Sequence, residues 1–197
     1  MARALLAAAQ RIIEQRGFAA LTLEAVARES GENKAMVAYY FGNKAGLVAA
    51  ILDSIIHNEC TTIAARVEEV PDRERLHVML AGICELTTSR ERFHAYFDIL
   101  PHALRDEVLR RRLIDLYEWY IAFELEWLGL DATAGDEEQR RRVRGLAELL
   151  AAAVDGIGIQ ARIDLETFDS RRAYEVLELL LRNSWREFAP DGGRSSA

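Results

Sequence analysis

Cysteine and proline are both scarce, with two of the first (Cys60 and Cys84) and three of the second in 197 residues. Two cysteines without a C-x-x-C pair exclude a disulfide framework and the common zinc and redox motifs. Reduced thiols in a cytoplasmic protein are the expected state. Three prolines and twelve glycines are too few for a collagen-like, linker-rich or turn-dense all-β chain. No apolar run approaches the roughly eighteen residues of a membrane span, so no membrane partner is expected. The apolar stretch at residues 4–9 is too short for the core of a signal peptide, and no cleavage site follows it. Positive charge is also in deficit: 25 Lys and Arg face 32 Asp and Glu, for a net charge of −7. Taken whole, that balance points away from nucleic acid.

What is present is helical. Half of the residues are hydrophobic and 29% are charged, a globular composition long enough to bury a sizeable core. Apolar residues recur at helical spacing through most of the chain, and no segment alternates as a strand does. Leu5, Ala9, Ile12 and Ile13 form one stripe, closed by an αL-type cap at Gly17. Thr22 caps a short helix that ends at Ser30-Gly31, and Asn33 caps a second through Tyr40. Asn43 caps a longer helix from Lys44 to about Val70, which Pro71 stops. Further helices are expected over roughly 73–88, 90–100, 105–128, 137–162 and 169–188, with Pro101 as a break and the stretch from Pro190 as a disordered tail. The expected fold is all-α with about nine helices, a small N-terminal three-helix bundle preceding a larger bundle.

Charge divides along the same line. Residues 1–50 hold six basic against four acidic residues, or +2, and include Lys34 and Lys44, the chain's two lysines. The other 147 residues therefore carry nineteen against twenty-eight, or −9. Within residues 22–41 the spacing fits a helix-turn-helix. Ala27 suits a close helix crossing, Gly31 suits a turn of positive φ, and Val37 turns the second helix inward, with Val26, Tyr40 and Phe41 adding contacts.

Three runs carry a family resemblance: Leu5 to Phe18, Leu21 to Gly31, and Asn33 to Leu47, the last containing Tyr39-Tyr40-Phe41-Gly42-Asn43-Lys44. Together they resemble the DNA-binding domain of TetR-type transcriptional regulators. The resemblance implies a helix-turn-helix domain at 1–50, a ligand-binding and dimerisation domain at 51–189 and a tail at 190–197. It also implies a ligand-responsive, cytoplasmic repressor that binds a pseudo-palindromic operator in double-stranded DNA as a homodimer and is released by a small-molecule effector. It places phosphate contacts on Thr22, Tyr39, Tyr40 and Lys44, and Lys34 at a base edge or phosphate. Ala35, Met36 and Ala38 face the major groove, where apolar side chains read thymine methyls but form no bidentate base pair contact. Three positions depart from the family pattern: Glu32 stands where an apolar residue is usual, Tyr40 where histidine is frequent, and Ala38 where tyrosine is frequent.

The last two long helices carry apolar stripes: Leu146, Leu149, Leu150, Ala153, Val154 and Ile157 on one, and Tyr174, Leu177, Leu180, Leu181, Ser184, Trp185 and Phe188 on the other, with Leu146, Leu150, Val154, Ile157, Leu177, Leu181 and Trp185 as the contact candidates. By the resemblance these are the dimerisation residues; by periodicity alone they fit an intrasubunit core equally. Gly156 and Gly158 inside a helix imply close approach of another helix or a ligand. Aromatics cluster in two helices, and Tyr117, Tyr120, Glu124 and Trp127 share one face, with Phe97 nearby in the preceding helix. That face suits a hydrophobic or cationic effector through charge and cation–π attraction, or else a plain core with Glu124 at its rim. The segment from Leu149 to Phe168 is loosely similar to choline- and betaine-type TetR regulators. No catalytic triad motif, phosphate loop or convergent set of metal ligands is present, so neither catalysis nor a cofactor or metal is expected. A helical carrier or enzyme without operator binding, and a protein–protein adaptor, are the other classes that the composition admits.

Overall fold

A computed structural model of the chain describes residues 1–89 and 94–188. Among these residues there are nine α-helices and no strand: α1 (Ala2–Arg16), α2 (Leu23–Ser30), α3 (Lys34–Phe41), α4 (Lys44–Glu68), α5 (Asp72–Thr88), α6 (His94–Ala103), α7 (Glu107–Leu128), α8 (Glu137–Ile163) and α9 (Ser170–Phe188), with a 3-10 turn at Phe18–Ala20. The fold is all-α, as the periodicity requires. The expected tail from Pro190 lies outside the described residues.

The chain divides into two compact units. The first comprises Met1–Asn58 with Ser89–Leu116, and the second Glu59–Thr88 with Tyr117–Ala197. Residues 1–50 lie wholly in the first unit, which also takes in α6 and the first part of α7.

Side-chain caps start the short helices of the first unit. The Thr22 hydroxyl accepts the Ala25 N–H at 3.0 Å, opening α2, and the Asn33 carboxamide accepts the Met36 N–H at 2.8 Å, opening α3. Asn43 repeats the device at α4, accepting the Gly46 N–H at 3.0 Å. Between α2 and α3, Gly31 adopts φ 77° and ψ 11°, the left-handed conformation that a glycine takes without steric cost. Gly46 answers a different demand. A Cβ there would lie 2.1 Å from the Phe41 carbonyl oxygen, so the turn between α3 and α4 closes only over a hydrogen. Leu5, Ile12 and Ile13 of α1, Val26 of α2, Val37 of α3 and Leu47, Ile51 and Leu52 of α4 are buried, which fixes the short helices on α1 and α4. Each such side chain contributes about 1.5–3 kcal/mol of transfer free energy.

Four local expectations need correction. Gly17 ends α1 at φ 74° and ψ 167°, extended in ψ, so it is not an αL cap. Pro101 lies inside α6 and does not interrupt it. It has no N–H to offer the preceding turn, but only two residues follow it in the helix, and the buried Tyr96, Ile99 and Ala103 hold the segment in place. Gly156 of α8 faces open space, with nothing within 4 Å of where a Cβ would stand, so no element of the described chain approaches it closely. Finally, α4 is long and apolar enough by length and composition to cross a membrane. Half of that stretch is buried in the protein's own core, through residues such as Val48, Ile51 and Leu52.

Candidate functional site

The first unit presents α3 as a short rigid helix with one face anchored. Val37 is fully buried, whereas Tyr39 is 80% exposed and Tyr40 43% exposed on the outer side. Tyr40 is therefore a surface residue, and not the packing contact that the helix-turn-helix spacing suggests. The two rings meet edge to face with centroids 5.4 Å apart, which limits their freedom and holds both hydroxyls outward. Ala35 is exposed, and Met36 and Ala38 are partly so, leaving an apolar strip on the same helix.

Cationic groups flank this strip. Lys34 at the first turn of α3 pairs with Glu24 of α2 at 2.5 Å, and this contact holds the Glu24 carboxyl below its ordinary pKa. Lys44, at the first turn of α4, sets its ammonium 4.4 Å from the centroid of the Phe18 ring. That ring stacks in turn on His102 of α6, with centroids 4.2 Å apart. A cation held by a ring keeps its charge and its direction while losing little entropy on binding. Thr22 is exposed, and while its oxygen caps α2 its hydroxyl proton remains available to a phosphate oxygen. Arg11 and Arg16 both bind Glu29, at 3.3 and 3.0 Å, bracing α1 against α2.

In the second unit the notable group is Glu124 of α7. It is fully buried, and neither carboxylate oxygen has a hydrogen-bond partner. Burial pushes its pKa up to about 8, the nearby Tyr120 phenol draws it partly back, and the negative charge of Asp155 raises it further. Tyr120 approaches the carboxylate without meeting hydrogen-bond geometry. The surrounding groups are acids as well. The Cys60 thiol is pushed up to about 12 by burial and then by Glu124, and the Tyr120 and Tyr174 phenols rise for the same reasons. Tyr117 donates its hydroxyl proton to Asp155, and the Tyr174 hydroxyl meets that of Thr87 at 3.1 Å. Along α7 an aromatic ladder runs beside Glu124. Trp119 stacks on Phe123 with centroids 4.9 Å apart, and Phe123 meets Trp127 at 4.2 Å.

Tyr117, Tyr120, Glu124 and Trp127 lie on α7 in the second unit, while Phe97 belongs to the first, half-buried and edge-on to Tyr96. Glu124 is not at a rim. Cys60, Asp155 and Tyr174, which periodicity did not single out with Glu124, interact with it electrostatically from α4, α8 and α9.

The residues assigned to dimerisation lie largely on the inner side of their helices. Leu146, Leu150, Val154 and Leu181 are buried in their own chain, and Ile157, Leu177 and Trp185 are partly buried. The outward apolar side chains are one step round each helix: Leu149 (63% exposed), Ile159 and Ile163 of α8, and Val176, Leu179 and Leu180 (60% exposed) of α9.

Comparison with known proteins fits this division. Residues 5–51 match the family described as bacterial regulatory proteins, tetR family, and residues 71–185 match that described as BetI-type transcriptional repressor, C-terminal. The chain belongs to the BetI-type members of the tetR family. A curated relative, the HTH-type transcriptional regulator BetI of Brucella melitensis biotype 2, is 26% identical over 182 residues, covering 89% of this chain and 87% of its own. Among solved structures, a transcriptional regulator from Pseudomonas aeruginosa PAO1 superposes with a TM-score of 0.73 at 18% identity, covering 95% and 93% of the two chains. A transcriptional regulator from Saccharomonospora viridis, solved in complex with choline, superposes with a TM-score of 0.62 at 18% identity, covering 92% and 95%. This tetR-family chain is accordingly a transcriptional regulator and not an enzyme.

Proposed function

We propose that the protein is a ligand-responsive repressor that binds a pseudo-palindromic operator as a two-fold dimer in the cytoplasm and leaves it when an organic cation occupies the Glu124 site. One observation carries the DNA reading: two tyrosine hydroxyls stand outward on a short helix whose opposite face is locked by the fully buried Val37. In this reading Tyr39, Tyr40, Thr22 and Lys44 hold phosphates and Lys34 reaches a phosphate or base edge. Ala35, Met36 and Ala38 lie against thymine methyls. With no bidentate base contact from that strip, half-site spacing and DNA shape supply much of the specificity.

A two-fold operator needs a two-fold protein, and the exposed leucines of α8 and α9 are the surface we assign to the partner copy. The effector side rests on Glu124. A buried carboxylate without a hydrogen-bond partner, beside aromatic rings, is complementary to a hydrophobic cation. The choline bound by the Saccharomonospora viridis regulator is of that chemistry.

The test is a gel shift on the DNA flanking the protein's own gene, with wild type, Tyr39→Phe and Lys44→Ala. Both substitutions weaken binding, and Lys44→Ala lowers the slope of log affinity against log salt by about one. Unchanged binding by both variants, or no binding by wild type at low salt, refutes the reading.

A further inference from the structure

We propose that Glu124 is a proton-exchange site: it is a neutral acid while the site is empty, and an entering organic cation displaces its proton, so that effector binding releases one proton to solvent. The inference rests on the cationic-effector reading above and adds how that site is regulated.

The site is a buried carboxyl within electrostatic reach of acids from four helices. Glu124 is fully buried with both oxygens unpartnered. The groups that act on it, or that it acts on, electrostatically are Cys60 from α4, Tyr120 from its own helix, Asp155 from α8 and Tyr174 from α9. Tyr117 binds Asp155, and Thr87 of α5 meets the Tyr174 hydroxyl, so Asp155 and Tyr174 each already have a partner other than Glu124. The charge that acts on Glu124 is that of Asp155, and it is of the same sign. An ionised carboxylate in such a place has lost its water and gained only the partial help of the Tyr120 phenol and no counter-ion, so the neutral form is favoured. Burial pushing the carboxyl to about 8 agrees with that geometry.

A permanent cation reverses the preference. It supplies the missing counter-charge at short range in a medium of low dielectric, and it brings no proton of its own. The exchange then balances simply. The O–H bond of the neutral acid breaks, the proton goes to buffer, and the electron pair stays on the carboxylate beside the cation. Below the pKa of the empty site only the ionised fraction accepts the cation at full strength, so affinity rises with pH and levels off above it.

Isothermal titration calorimetry tests this, with choline and tetraphenylphosphonium as probes, since neither titrates. Measurements in two buffers of different ionisation enthalpy give the proton count. With the carboxyl at about 8, about 0.9 proton is released at pH 7, and affinity rises about ninefold from pH 6 to pH 7. Glu124→Gln, which copies the neutral acid, binds weakly with no proton release and no pH dependence. Infrared difference spectra of the empty wild type against Glu124→Gln give a readout independent of any ligand. A protonated carboxyl band is expected at neutral pH, disappearing as the pH passes about 8. An ionised Glu124 in the empty protein overturns the proposal. Tight, pH-independent binding of either cation overturns the exchange and leaves the cationic-effector reading standing. Failure of both cations to bind at any pH overturns the two together.

Discussion

Replacing Glu124 by glutamine is expected to shift the stability balance in the variant's favour progressively as the pH rises, ending in net stabilisation near pH 9. The sign follows from where the proton is held. An unfolded chain gives up the proton of a glutamate near the ordinary value of 4.5, whereas the folded protein keeps that of Glu124 up to about 8. Between those values the folded state binds more protons than the unfolded one, so wild-type stability falls as pH rises through the window and stays at its reduced level above it. The penalty is under about 1 kcal/mol near pH 5, about 3 kcal/mol near pH 7 and about 5 kcal/mol near pH 9. Glu124 is fully buried, so solvent does not screen the effect away. Glutamine removes the titration and keeps the shape; its amide brings a desolvation cost of about 1–3 kcal/mol that is the same at every pH. Urea unfolding of wild type and variant at the three pH values and one fixed protein concentration isolates the pH-dependent part from that constant. A stability difference that does not grow from pH 5 to pH 9 refutes a neutral, buried Glu124.

Two further outcomes follow from the geometry. Leu180→Arg alters an exposed side chain, so the subunit stays folded but sediments as a monomer at micromolar concentration, whereas Leu150→Arg buries a charge in the subunit's own core and unfolds it; a dimeric Leu180→Arg protein removes α9 from the interface. Asn33→Ala deletes the cap of α3 and costs about 1 kcal/mol in urea unfolding; an unchanged midpoint shows that the cap does not hold the helix.

Much of the fold was legible because local chemistry decides it. Thr22, Asn33 and Asn43 announce three helix starts, and each makes the expected bond. Where tertiary packing decides, local rules failed: Pro101 stays in α6 because its neighbours are buried. The stripes on α8 and α9 illustrate a second limit. Periodicity locates an apolar stripe, but α8 has apolar residues on two faces, Leu146 and Leu150 on one and Leu149 and Ile159 on the other. Only the packed chain shows that the first is its own core. The α7 face containing Glu124 was likewise readable from spacing within one helix. Cys60, Asp155 and Tyr174 come to it from helices distant in sequence, and no spacing rule connects them.

The two lysines have one more consequence. Apart from the α-amino group, all the primary amines of the chain stand at positions 34 and 44, one beside Glu24 and one over Phe18. Amine-directed labels and lysine-specific proteases therefore address this protein only at the two helix starts that flank the exposed tyrosines. Loss of labelling at Lys34 and Lys44 when operator DNA is added, and its return when an effector follows, reports occupancy of that surface on the unmodified protein without any engineered probe.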